Sequence, residues 1–131
     1  MSPEGPPPYE PGTRAVDDTP ADTRRGGDVR TLLSPKTVGS STGFMGVATI
    51  GPGDRISEHY HPYSEEFIYC VRGTLTAELD SEPHSVPAGS GLFVPINVKH
   101  RLLNKGSEEA FIVFQLCPLA PRPHLGHVDT E

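Results

Sequence analysis

Glycine and proline together supply 29 of the 131 residues, well above the ~12% of an average chain. No stretch of eleven or more residues carries a 3.6-residue apolar period without one of these breakers intervening, so long helices are excluded. Between the breakers lie short β-branched and aromatic segments: VRTLLS, Gly43–Ile50, Glu66–Val71, Thr74–Leu79, Gly91–Pro95, Val98–Asn104 and Ala110–Cys117. Short strands separated by Gly, Pro and Asp turns predict an all-β antiparallel sandwich or barrel. The length is that of one domain.

The ends differ from the middle. Residues 1–29 hold six prolines and four glycines with few large apolar side chains. Such a segment cannot offset its ordering entropy by burial, which predicts a flexible arm, mobile or draped over something else. The single folded domain is expected over residues 30–118, with a Pro-rich tail over 119–131. A net charge of −6 without a Lys/Arg-rich run argues against nucleic-acid binding. Apolar runs are far short of the ~20 residues of a membrane span. The start, MSPEGPPPYEPG, has neither the basic nor the apolar part of a secretory signal. Cys70 and Cys117 sit in apolar stretches and form no CxxC pair. Two buried thiols fit a reducing compartment, so the expected location is cytoplasmic.

The chemistry concentrates between Gly53 and Gly73. His59 and His61 lie two apart, which on a strand places both imidazoles on one face, roughly 6.5–7 Å apart along the backbone. They can then converge on one ion at ~2.1 Å from each nitrogen. Glu65 and Glu66 follow after Pro62, and His100 opens another apolar segment. Three imidazoles and a carboxylate make a nitrogen-rich site for a divalent transition metal. Strict alternation from His59 through residue 63 turns Glu65 towards the ion; a kink or bulge at Pro62 shifts the parity to Glu66. His84 reads as exposed, His124 and His127 as residues of the Pro-rich tail that take no part in metal binding, Cys70 and Cys117 as core, and Tyr60 and Tyr63 as packing.

These residues carry a resemblance. Gly53, five residues, His59-Tyr60-His61, four residues, Glu66, six residues and Gly73 match the first cupin motif. Gly89, five residues, Pro95-Ile96-Asn97, two residues, His100, three residues and Asn104 resemble the second motif. One position departs: Asn97 stands where glycine is usual, and Asn tolerates the left-handed turn conformation best after Gly. The resemblance implies the cupin double-stranded β-helix with His59, His61, His100 and Glu66 as metal ligands, and the distance to Gly73 favours Glu66 over Glu65. LLSPKTVGSSTGFMG, SEHYHPYSEEFIYCVRG, VPINVKHRLLN and PLAPRPHLGHVDTE are further similar to small single-domain cupins of aromatic polyketide clusters, of the tetracenomycin, spore-pigment and resistomycin type.

That likeness implies a metal-dependent cyclase acting on a poly-β-ketone, with Glu66 also as catalytic group and the synthase's acyl carrier protein as a partner. The expected cofactor is one divalent ion per chain, zinc by preference, with iron, manganese, nickel or copper as alternatives. A cupin oxygenase or a non-catalytic accessory of the synthase are the competing functions. Ile68, Cys70, Val98 and Leu102 are expected to line the cavity. Phe67, Tyr69 and Val71 give the same strand a second apolar face. A strand apolar on both faces is buried on both, which predicts cover by the arm or by a second copy in a homodimer.

Overall fold

Turn chemistry sets the frame. Asp80 and Ser81 both take left-handed backbone angles, φ 48° and 71°. They form a two-residue turn between Leu79 and Glu82, the kind whose twist matches that of paired strands. The computed structural model describes residues 11–131. Its strands are β1 Asp28–Leu33, β2 Phe44–Ile50, β3 Arg55–Tyr60, β4 Glu65–Arg72, β5 Thr74–Leu79, β6 Glu82–Pro87, β7 Gly91–Val94, β8 His100–Leu103, β9 Ala110–Cys117 and β10 Val128–Asp129. One sheet runs β1-β2-β9-β4-β7 and the other β10-β3-β8-β5-β6. All pairings within them are antiparallel. Pro83 falls on β6, an edge strand, where a missing N–H costs no ladder bond. Among the described residues, helix is confined to the four residues Pro35–Val38 and two 3-10 turns, Val16–Asp18 and Pro123–Leu125. No helix among the described residues is long and apolar enough to cross a membrane.

The two sheets enclose one core. Ile50, Leu75, Val94, Cys70 and Ile112 are sealed from solvent, each large aliphatic contributing ~1.5–3 kcal/mol by burial. Gly73 alone links β4 to β5, carrying the chain from one sheet to the other. Its φ is +80°, and a Cβ there would stand 2.8 Å from both Ala110 Cα and Glu109 O.

Along β4 the side chains alternate strictly. Glu66, Ile68 and Cys70 turn inward, while Phe67, Tyr69 and Val71 turn outward and are 43%, 50% and 44% exposed. Phe93 on β7 packs on Phe67 with ring centroids 5.3 Å apart. Among the described residues, 11–29 do not line the groove on this face.

Described residues on both sides of the expected 30–118 domain pair with it. Residues 1–10 of the expected arm lie outside the described residues. Asp22 exchanges backbone hydrogen bonds of 2.7 and 3.1 Å with Val29, and the Arg25 carbonyl accepts from the Ser57 N–H at 2.8 Å. The limit at residue 118 needs correction, because the chain returns as β10 and pairs Val128 with Tyr60 and Asp129 with His59. Two residues of strand lack the periodic apolar pattern that would reveal them in a Pro-rich tail.

Gly73→Ala is expected to lower unfolding free energy by ~2–3 kcal/mol, since strained backbone meets immovable backbone. Gly53 has a similar φ of +79° but nothing within 4 Å, so Gly53→Ala should lose only ~1 kcal/mol. Urea unfolding of the two variants checks this, and equal losses would contradict it.

Candidate metal centre

A β-bulge builds the site. Ile56 pairs with Leu102 but His59 pairs with His100, so β3 carries one extra residue between those pairs. Ile56 and His59, three apart, therefore both face inward. His59 and His100 stand directly opposite with ring centroids 4.4 Å apart. The strand ends at Tyr60, and the His61 ring follows at 4.9 Å from His59 and 5.1 Å from His100. Asn97, at φ +69°, donates its N–H to the His61 carbonyl at 3.0 Å. The turn before β8 is thereby tied to the segment holding His61, and Asn97 adopts the left-handed conformation that glycine commonly supplies.

Glu66 arrives from the opposite sheet. The turn at residues 62–64 resets the alternation, so Glu66 points into the cluster and Glu65 does not. The parity question left open in the sequence thus closes in favour of Glu66. Its Oε1 lies 3.2 Å from His61 Nε2 and 3.1 Å from His100 Nε2. One ligand atom from each of His59, His61, Glu66 and His100 lies within 4.8 Å of all the others.

The hydrogen-bond pattern turns acceptor atoms towards one another, an arrangement that could hold a cation. His59 Nδ1 sits 2.8 Å from the Ser57 carbonyl, His100 Nδ1 3.0 Å from the Val98 carbonyl, and His61 Nδ1 2.9 Å from the Gly126 carbonyl. A carbonyl oxygen only accepts, so each Nδ1 carries a hydrogen, and Nε2 is the nitrogen each ring turns towards the cluster. Among the described residues, the buried side-chain atoms without a hydrogen-bond partner are His61 Nε2, Glu66 Oε1 and His100 Nε2. Left unmatched, each buried acceptor costs ~1–3 kcal/mol. Donors sharing one ion at ~2.1 Å stand ~3.0–3.4 Å apart at right-angle or tetrahedral geometry, which the Glu66 distances match. The donor set fits a divalent transition metal.

Burial and the neighbouring His100 push the His59 imidazole down to about 4. Burial also opposes charge on Glu66, but His100 and His61 outweigh it and hold the carboxyl below its usual range. Burial disfavours the His100 cation, yet Glu66 outweighs that and raises its pKa. A proton on His100 is thus the natural competitor of a metal ion.

The cluster opens into a cavity of about 230 Å³, walled by Ala48, Ile56, Leu102, Ile112, Phe114 and Leu116. Of the expected lining residues, Leu102 is present, whereas Ile68, Cys70 and Val98 are not; Ile68 and Cys70 are spent on the core. Asp22, Arg24, Arg25 and His127 also line it. Sequence reasoning missed these four because they reach the site through backbone pairing of the arm and tail, which leaves no spacing motif. His84 is exposed, as read from the sequence, and so is His124.

A family model for the cupin domain matches residues 46–116. The chain is 60% identical to protein SchB of Streptomyces halstedii, over 89% of its own length and 85% of the relative's. It is 61% identical to polyketide synthase CurC of Streptomyces cyaneus, over 82% and 70% of the two lengths. Among solved structures, a double-stranded β-helix protein from Klebsiella pneumoniae superimposes with a TM-score of 0.72 at 18% identity, covering 89% of this chain and 95% of the other.

His61→Ala and His100→Ala should each weaken divalent-metal binding by more than the ~10–100-fold that loss of a supporting group costs. Glu65→Gln and His84→Ala should leave it unchanged. Metal content after equilibrium dialysis checks the set, and equal content in all four variants would contradict the assignment.

Proposed function

We propose that this chain, which belongs to the cupin family, is a metal-dependent cyclase that closes rings on a poly-β-ketone in aromatic polyketide biosynthesis. The observation that carries the reading is a buried His59, His61, Glu66 and His100 cluster facing an apolar cavity. The 61% identity to a protein named polyketide synthase CurC supports the substrate class, which fold alone could not. A divalent ion held by the four side chains, zinc by preference for a nitrogen-rich set, supplies a Lewis acid that polarises a substrate carbonyl. Everything else falls to the chain's own groups.

A methylene between two carbonyls is acidic. The Glu66 carboxylate accepts its proton, and the resulting carbanion forms a C–C bond to a second carbonyl carbon of the same chain. The new alkoxide takes a proton back, and loss of water then brings the ring towards aromaticity. The apolar walls exclude water and restrict which carbons meet, the effect by which oriented intramolecular reactions gain most of their rate. At about 230 Å³ the cavity is smaller than the ~300–1,000 Å³ of sites that enclose a drug-sized ligand. It holds the segment being cyclised while the remainder of the chain stays outside, compatible with delivery on an acyl carrier protein. Two free thiols, Cys70 and Cys117, suit the reducing cytoplasm in which we assign the reaction.

Reconstitution with the synthase under argon tests the chemistry. The parent should direct one cyclised product. Glu66→Gln and metal-stripped protein should instead release spontaneously cyclised shunt products. Identical profiles in all three would sink metal-assisted cyclisation, and a parent that works only in air would move the assignment to an oxygenase.

Metal loading should also depend on pH with a fixed sign. Because the His100 pKa is raised, its proton persists to higher pH than on a free imidazole. Loading therefore falls as pH drops through a window that opens above the ~6.5 of a free imidazole, and it recovers as pH rises. Metal content after dialysis at stepped pH reads this, and loading that rises with acidity would contradict it.

A further inference from the structure

The three histidines of the cluster are aimed by different means. His59 and His100 each donate Nδ1–H to a carbonyl two residues back in their own segment, Ser57 at 2.8 Å and Val98 at 3.0 Å. Those anchors form whenever β3 and β8 form. His61 has passed the end of β3, and its Nδ1–H goes to the Gly126 carbonyl at 2.9 Å, 65 residues away. A 3-10 turn over Pro123–Leu125, closed by the Gly126 N–H on the Pro123 carbonyl at 3.0 Å, presents that carbonyl.

The carbonyl stays in place only while the last residues stay docked on β3, and the docking is built from several contacts. The Thr130 N–H donates to the Glu58 carbonyl at 3.1 Å, and its hydroxyl donates to Glu58 Oε1 at 2.7 Å. The Glu131 carboxylate accepts from the Glu58 N–H at 2.8 Å and from Arg101 Nε at 3.0 Å. Asp129 accepts from Arg25 Nε at 2.6 Å. Arg25 belongs to the arm, and its own carbonyl accepts from Ser57, whose carbonyl in turn orients His59. Arm and tail therefore close on each other across β3, which carries His59 and leads into His61.

We propose that the tail segment Gly126–Glu131 is a positioning element of the metal centre, the Gly126 carbonyl fixing the tautomer and direction of His61, so that metal affinity depends on tail docking. The inference rests on the metal reading above. Carbonyl partners of ligand histidines set which nitrogen is free and how the ring points, and losing one typically weakens metal binding 10–100-fold.

The test is the full chain carrying Asp129→Ala, Thr130→Pro and Glu131→Ala, which removes the tail's side-chain anchors and the Thr130 N–H while leaving every ligand and the Ser57 and Val98 carbonyls in place. Two readouts are taken: zinc affinity by competition with a chromogenic chelator, and ring-nitrogen NMR of the histidines in metal-free protein. The parent should show a single Nδ1–H tautomer at His61. The variant should show exchange between tautomers at His61, unchanged tautomers at His59 and His100, and zinc affinity at least tenfold weaker. Asp129→Ala alone should fall between the two, and it serves as the comparison if the triple variant fails to fold. Affinity within twofold of the parent overturns the proposal. So does a loss in which all three rings are disturbed alike, because the tail would then be loosening the whole domain. A parent that binds no zinc would sink the metal reading instead, and the His61 tautomer comparison would still decide the positioning.

Discussion

Lone pairs that face one another across about 3 Å whenever these imidazoles are neutral Nδ1–H tautomers are the constraint on which this structure turns. His61 Nε2 and His100 Nε2 stand 3.2 and 3.1 Å from Glu66 Oε1, and each imidazole has committed its hydrogen to a carbonyl on the far side. Acceptors so arranged repel unless a cation joins them, and away from water that repulsion is not screened. A proton answers the need in acid and a divalent ion would do so at higher pH, which would make the pKa of His100 and the affinity for metal two views of one balance.

The fold serves that meeting of four side chains. Two sheets stacked face to face bring β4 of one opposite β3 and β8 of the other, so Glu66 approaches from one wall and the histidines from the other. The bulge in β3 sets His59 opposite His100, and Asn97 ties the turn leading to His100 back to the His61 carbonyl. Gly73 makes the one-residue passage from β4 into β5 that keeps both sheets in a single short chain. The mostly aliphatic core leaves the polar cluster as the exception, and an exception of that kind in a marginally stable domain points to function.

Much of this was legible in the residues. Breaker spacing marks most strands, with β5 and β9 at the limits read from sequence, and the two-residue Asp80-Ser81 turn lies where the pattern changes. The His59, His61 and His100 spacing finds the cluster although only His59 and His100 lie on strands; His61, expected on the same strand as His59, follows the end of β3. Glu65 against Glu66 was open for a physical reason: side-chain parity is carried only by continuous strand, and the turn at residues 62–64 interrupts it. The role of the tail was hidden more deeply. Gly126 contributes through its backbone carbonyl, which any residue possesses, and β10 is two residues long; neither leaves a compositional trace. The arm residues Asp22, Arg24 and Arg25 reach the cavity mouth by the same kind of long-range backbone pairing.

The functional account therefore stands on a chain of unequal links, from spacing to ligand cluster to ion to reaction, and the ion is the link on which the others hang. Anomalous diffraction across the zinc edge, on crystals of protein purified without chelator, examines it directly. The account predicts one peak per chain, ~2.1 Å from Nε2 of His59, His61 and His100 and from a carboxylate oxygen of Glu66. A crystal with no metal scatterer at that point, or with an ion held by other residues, would contradict it.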